Sequence, residues 1–162
     1  MPVTAIDKDA AALTMTVTAG FDAPVERVWQ IWADPRQLER WWGPPTYPAT
    51  VLEHDLRSGG VVRYLMTAPE GDEHHGWWRV TAVEAPRRLE LEDGFGDSPD
   101  HASPEMAIVG MRVTLAARPD GGTQMTVETR FSSARGMQQL VEMGMEEGLA
   151  AAMSQIDPLL AA

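Results

Sequence analysis

The 162-residue chain contains no cysteine. That removes disulfide staples, thiolate nucleophiles and cysteine-based zinc sites together, and it suits a cytoplasmic location. Basic residues are scarce: 13 Lys and Arg stand against 24 Asp and Glu, a formal net charge of −11. A surface of that sign repels phosphate backbones and anionic headgroups, so neither nucleic acid nor a membrane is expected as a partner. Apolar runs are short. None approaches the ~18 residues of a membrane span, and Met1–Asp9 lacks the basic flank and apolar stretch of a secretory leader. Catalytic signatures are missing as well: there is no G-x-S-x-G elbow, P-loop, H-E-x-x-H or Gly-rich dinucleotide turn. The serines sit mainly in turn contexts with no histidine placed near them, so nucleophilic catalysis has no support.

What is present belongs to one domain, 1–162, with residues 1–12 open to disorder. A chain of this length buries about 70% of its unfolded surface and forms a core without a metal or disulfide. Six Trp and ten Met are its informative counts, since flat rings and pliable thioethers suit an irregular core or an adaptable pocket. Leu13, Met15 and Val17 alternate on one face of a strand. Val25, Val28, Trp29 and Trp32 then mark a short helix, and Asp34-Pro35 opens a second that Gly43-Pro44-Pro45 stops.

Strand patterns follow over Ala49–Leu56, Val61–Thr67, Gly76–Val83, Arg88–Glu92, Met106–Ala116 and Thr123–Phe131. Gly-containing turns between several of them force antiparallel neighbours. Asp93 to Glu105 is poor in apolar residues and reads as one mobile loop, a candidate gate. Arg135 to Leu160 is periodic as one long helix whose apolar arc includes Val141, Met145, Leu149, Ala152, Ile156 and Leu159. These elements predict an α+β fold: a curved antiparallel sheet of about seven strands around a long C-terminal helix, with two short helices after the first strand.

Few residues point to chemistry. His74-His75 and His101 invite a metal site, but adjacent strand residues face opposite ways, and solvated loop histidines are the simpler reading. Neither metal nor cofactor is expected. Trp77 and Trp78 are consecutive in a strand, so one faces inward and the other sits under a loop or at a contact surface. Gly144 and Gly148 are sharper. In a helix interior the pair disfavours the helix by about 2 kcal/mol, which calls for close helix–sheet packing or for space held open against the sheet.

Phe21-Asp22-Ala23-Pro24-Val25, Trp41-Trp42-Gly43-Pro44 and Asp55-Leu56-Arg57-Ser58-Gly59-Gly60 together resemble the START-like (SRPBCC) superfamily. Gly76-Trp77-Trp78-Arg79-Val80, Pro86-Arg87-Arg88-Leu89 and Met143-Gly144-Met145-Glu146-Glu147-Gly148 extend the likeness. Within the superfamily the chain resembles the bacterial heat-shock-protein-90 ATPase activator homologues. The resemblance implies a helix-grip fold with a cavity between sheet and helix, which relatives use for lipids, sterols, polyketides or plant hormones. It brings no catalytic set. Eukaryotic activators carry an additional chaperone-binding domain for which these 162 residues leave no room, so a chaperone partner is not expected.

The expected function is therefore binding of a small apolar molecule, and a homodimer is left open. Candidate lining residues are Val62, Tyr64 and Met66 on one strand face, the inward member of the Trp77–Trp78 pair (Trp78 being the candidate), Met111, and the Gly144, Met145 and Gly148 face. An enzyme of cyclase or hydrolase kind, with Tyr64, Arg112 or His75 as polar participants, is the main alternative. A protein-interaction module using the acidic surface is the other.

Overall fold

A computed structural model describes residues 2–104 and 106–161; Met1, Glu105 and Ala162, which bound the expected domain and loop, lie outside the described residues. Period-two alternation builds the sheet. In β2 (Thr14–Phe21) Met15, Val17, Ala19 and Phe21 are buried while the residues between them are half-exposed. The other strands are β1 (Val3–Asp9), β3 (Ala49–His54), β4 (Val61–Thr67), β5 (Glu73–Glu84), β6 (Arg88–Phe95), β7 (Val109–Ala117) and β8 (Thr123–Arg130). They form one antiparallel sheet in the order β1-β2-β8-β7-β6-β5-β4-β3.

The sheet has eight strands, one more than the alternation predicts. The additional strand, β1, falls within the first twelve residues, which are open to disorder on sequence alone. It pairs with β2 along the sheet edge and only Val3 and Ile6 are partly buried among it, so its apolar signal is weak.

Between β2 and β3 lie α1 (Val25–Ala33) and α2 (Pro35–Leu38). Asp34 caps α2 by accepting from the Arg36 N–H at 2.9 Å. Arg27 ties both helices to the C-terminus, donating to Gln37 Oε1 at 2.7 Å and to the Leu159 carbonyl at 3.0 Å.

The C-terminal segment is not the single helix its periodicity predicts. It divides into α3 (Ala134–Glu142), α4 (Met145–Met153) and α5 (Ile156–Ala161). Gly144 makes the first break with φ +90°, a left-handed conformation that a Cβ disfavours. Its N–H bonds the Val141 carbonyl at 3.0 Å and its carbonyl accepts from Gly148 at 2.8 Å, so it closes one helix and opens the next. Pro158 falls in the first turn of α5, where its missing N–H leaves no intrahelical bond unmade. Gln155, in the second break, donates to the Gly43 carbonyl at 2.7 Å and ties the helical segment to the early Trp-rich loop.

The expected mobile loop is also divided. Asp93, Gly94 and Phe95 continue β6. Beyond them Gly96 bridges to Ala102, with the Gly96 N–H on the His75 carbonyl at 3.0 Å and the Ser103 N–H on the Phe95 carbonyl at 2.7 Å. Backbone bonds to β5 and β6 hold a segment whose side chains offer little apolar surface.

The two helical glycines should respond oppositely to alanine. Gly144→Ala forces a Cβ into the left-handed region and is expected to destabilise by about 1–2 kcal/mol. Gly148→Ala adds a Cβ that meets no heavy atom within 4 Å and should stabilise by up to ~1 kcal/mol. Urea unfolding of both variants checks the pair.

Candidate functional site

Side-chain volume along the concave face is uneven. At one end four indoles interlock: Trp32 meets Trp41 at 4.8 Å between ring centroids, and Trp42 meets Trp78 at 4.9 Å, each near perpendicular. Edge-to-face packing of this kind satisfies the ring quadrupoles while excluding space. Trp41 donates to the Ile31 carbonyl at 3.0 Å, whereas the Nε1–H groups of Trp32, Trp42 and Trp78 are buried without a hydrogen-bond acceptor.

Beyond Trp42 the packing opens into a cavity of about 260 Å³ between the sheet and α3–α4. Its floor is Tyr64 and Met66 of β4, Gly76 of β5, Asp93 and Phe95 of β6, and Val109 and Met111 of β7. Its roof is Leu140, Met143, Gly144, Met145, Gly148 and Leu149. Pro44, His74, His75 and Ala107 complete the wall. Near Gly148 the roof is open space.

The polar centre is made by a missing side chain. Tyr64 pairs across the sheet with Gly76, and a Cβ on Gly76 would fall 2.4 Å from Tyr64 Cζ. The phenol ring therefore lies over the glycine and reaches the next strand, where its hydroxyl donates to Asp93 Oδ1 at 2.8 Å. The Trp42 indole packs edge-on against the phenol, 5.9 Å between ring centroids. Burial pushes the Tyr64 hydroxyl well above its usual range near 10, and the neighbouring Asp93 adds to that. Burial likewise raises the Asp93 carboxyl to about 7, opposed only by the Tyr64 hydrogen bond, which favours its ionised form.

Six of the eight residues expected to line the cavity do so: Tyr64, Met66, Met111, Gly144, Met145 and Gly148. Val62 and Trp78 do not line it; both are fully buried in the core. Val62 pairs with Trp78 across the sheet, and Trp42 packs on Trp78 at the closed end. Trp78 is nonetheless the inward ring. Trp77 lies on the opposite face across Gly94, buried, with its Nε1–H on the Phe95 carbonyl at 3.1 Å.

Arg112 lies away from the cavity, exposed and 3.3 Å from Glu90, because strand alternation turns it from the face that carries Met111 and Val113. His74 lies beside Tyr47, 6.1 Å between ring centroids and tilted by 58°, while His75 sits 3.9 Å from Glu73 and 3.7 Å from Asp97.

Asp93 escapes the sequence reading, which begins a loop there. Its signal was alternation: Leu89, Leu91 and Asp93 occupy every second position of β6 and share the inner face. Trp42 was visible as an aromatic but had no assigned surface.

A curved antiparallel sheet gripping C-terminal helices, with a cavity between them, defines the START-like helix-grip class. The chain belongs to the family of activator of Hsp90 ATPase homolog 1-like proteins, which it matches over residues 22–161. Protein Ms6760 of Mycobacterium smegmatis is 46% identical, over 98% of this chain and 97% of that one, with a TM-score of 0.89. A protein of Arthrobacter aurescens is 47% identical over 98% and 92%, with a TM-score of 0.92. The AHSA1 protein of Silicibacter pomeroyi shares the fold at 21% identity, over 91% and 97%, with a TM-score of 0.70. No curated protein matches the chain. Among the described residues no helix is long and apolar enough to cross a membrane.

The Asp93 carboxyl makes stability depend on pH. The unfolded chain releases this proton near 3.8, the folded one at about 7. Between those values the folded form binds more protons, so the stability the group contributes is full below pH ~4 and is lost as pH rises through about 7. Asp93→Asn, neutral throughout, should be more stable than the parent at pH ~8 by up to about 4 kcal/mol. The difference should shrink toward zero at pH ~4. Urea unfolding at both values tests the window and its sign.

Proposed function

We propose that this chain binds a small, largely apolar molecule in the cavity between the sheet and α3–α4. The observation that carries the reading is the open space beside Gly148 in a wall otherwise built of Met, Leu, Val and aromatic side chains. A well-packed core leaves few voids larger than a water molecule, and about 260 Å³ is near the lower end of small-ligand pockets. Family membership supports it, since the resemblance to START-like proteins implies use of this cavity for apolar ligands. The enzymatic alternative is weaker. Arg112 is turned away from the cavity, and the Tyr64 hydroxyl is already engaged with Asp93.

Gly148→Leu tests the reading. A leucine there should fill the cavity: stability holds or rises, while affinity for the neutral fluorophore prodan falls about tenfold or more. Prodan titration alongside melting curves supplies both measurements. Equal affinity in a folded variant would remove Gly148 from the binding surface, and failure of prodan to bind the parent would count against the cavity as a ligand site.

A further inference from the structure

The reading that the cavity binds a small apolar molecule leaves open what the polar end of that molecule is, and the Tyr64–Asp93 pair bears on it. Asp93 Oδ1 is held by the Tyr64 hydroxyl. Oδ2 has no protein donor among the described residues, and it is not among the side-chain atoms sealed away without a partner; Asp93 itself lines the cavity. No Lys, Arg or His forms an ion pair with Asp93 among the described residues. A carboxylate withdrawn from water without a compensating cation is unfavourable, and a bound cation supplies what the chain omits.

Other features of the cavity agree. The titratable groups that line it are Tyr64, His74, His75 and Asp93, with no Lys or Arg among them. The roof helices contribute only apolar residues and glycine. Trp42, Tyr64 and Phe95 place aromatic rings in the same wall, and aromatic faces attract desolvated cations. The formal charge of −11 draws cations toward the molecule and disfavours anions.

We propose that the ligand is a lipophilic amine: an apolar body seated between Met66, Met111 and Gly148, carrying one protonated nitrogen that donates to Asp93 Oδ2. Tyr64 acts as a positioning residue, orienting the carboxylate through Oδ1. Above about pH 7, where Asp93 is ionised, like charge disfavours carboxylic acids. Alcohols bind through the same oxygen without the ionic component.

Three probes with one apolar body decide the matter: naphthylmethylamine, naphthylmethanol and naphthoic acid, titrated calorimetrically into the intact protein at pH ~8. The expected order is amine, alcohol, acid, with the amine ahead of the alcohol by about tenfold or more. Asp93→Asn, which keeps a side-chain oxygen for Tyr64, should bring the amine to within about threefold of the alcohol. Amine affinity should also fall between pH ~8 and ~5.5 as Asp93 takes up its proton. His74 and His75 line the same cavity, so the part of the fall due to Asp93 is the part the Asn variant lacks.

Equal binding of the three probes, or tightest binding of the acid, overturns the amine assignment and leaves the apolar cavity standing. Binding of prodan with none of the three probes does the same. If neither prodan nor any probe binds, the cavity reading itself falls. Should the Asn variant fail to fold, the order of the three probes on the parent protein decides alone.

Discussion

Side-chain volume is distributed unevenly along one concave surface, and the cavity follows from that imbalance. Where Trp32, Trp41, Trp42 and Trp78 converge, the space between sheet and helices is filled. Further along, the helices present Gly144 and Gly148 to the sheet, and the space beside Gly148 is open. Sheet and helices cannot collapse into the gap, because their separation is set by the indoles at one end and by the breaks between the helical segments. The left-handed turn at Gly144 and the Gln155 bond to the Gly43 carbonyl hold those segments where they are. A cavity made in this way is a property of the scaffold and exists before any ligand arrives.

Within that space the Tyr64–Asp93 pair concentrates nearly all the polarity. Its geometry requires a bare backbone at Gly76, since any Cβ there would occupy the position of the phenol ring. Hydrogen bonding and burial act on Asp93 in opposite directions. Burial dominates and holds its proton up to about pH 7. The protein thus carries a carboxyl near its own midpoint at neutral pH, with one oxygen held by Tyr64, on a residue that lines the cavity. Retaining such a group lowers stability at higher pH, a cost consistent with a site kept for recognition rather than for folding.

Opposite faces of the same strands show a parallel arrangement put to another use. Tyr64 lies over Gly76 on the concave side, and Trp77 lies over Gly94 on the other. The first pairing leaves a hydroxyl beside open space. The second is closed, with the indole N–H on the Phe95 carbonyl and the ring buried. A glycine opposite an aromatic therefore does not by itself mark a site; what covers the ring decides.

Short-range information was legible in the chain because it depends on periods and turn chemistry. Alternation specified the antiparallel strands from β2 to β8, and Asp34-Pro35 specified where the second of the early helices begins. The same periodicity put Val62, Tyr64 and Met66 on one strand face, and the resemblance to START-like proteins implied that this face is the concave one. Tertiary structure decided the rest. Strand β1 carries too little apolar signal to declare itself, and it exists because the β2 edge offers backbone partners. One helical period runs through Arg135–Leu160, but a glycine that is costly inside a helix is favourable as a left-handed stop, and only the packed chain chooses between them. Asp93 read as loop because its neighbours are polar. Its place beside Tyr64 depends on register across three strands, and its raised pKa depends on burial that those strands and the helices create together. Local sequence determines which face a side chain takes; the distances and the dielectric around it come from residues far away in the chain.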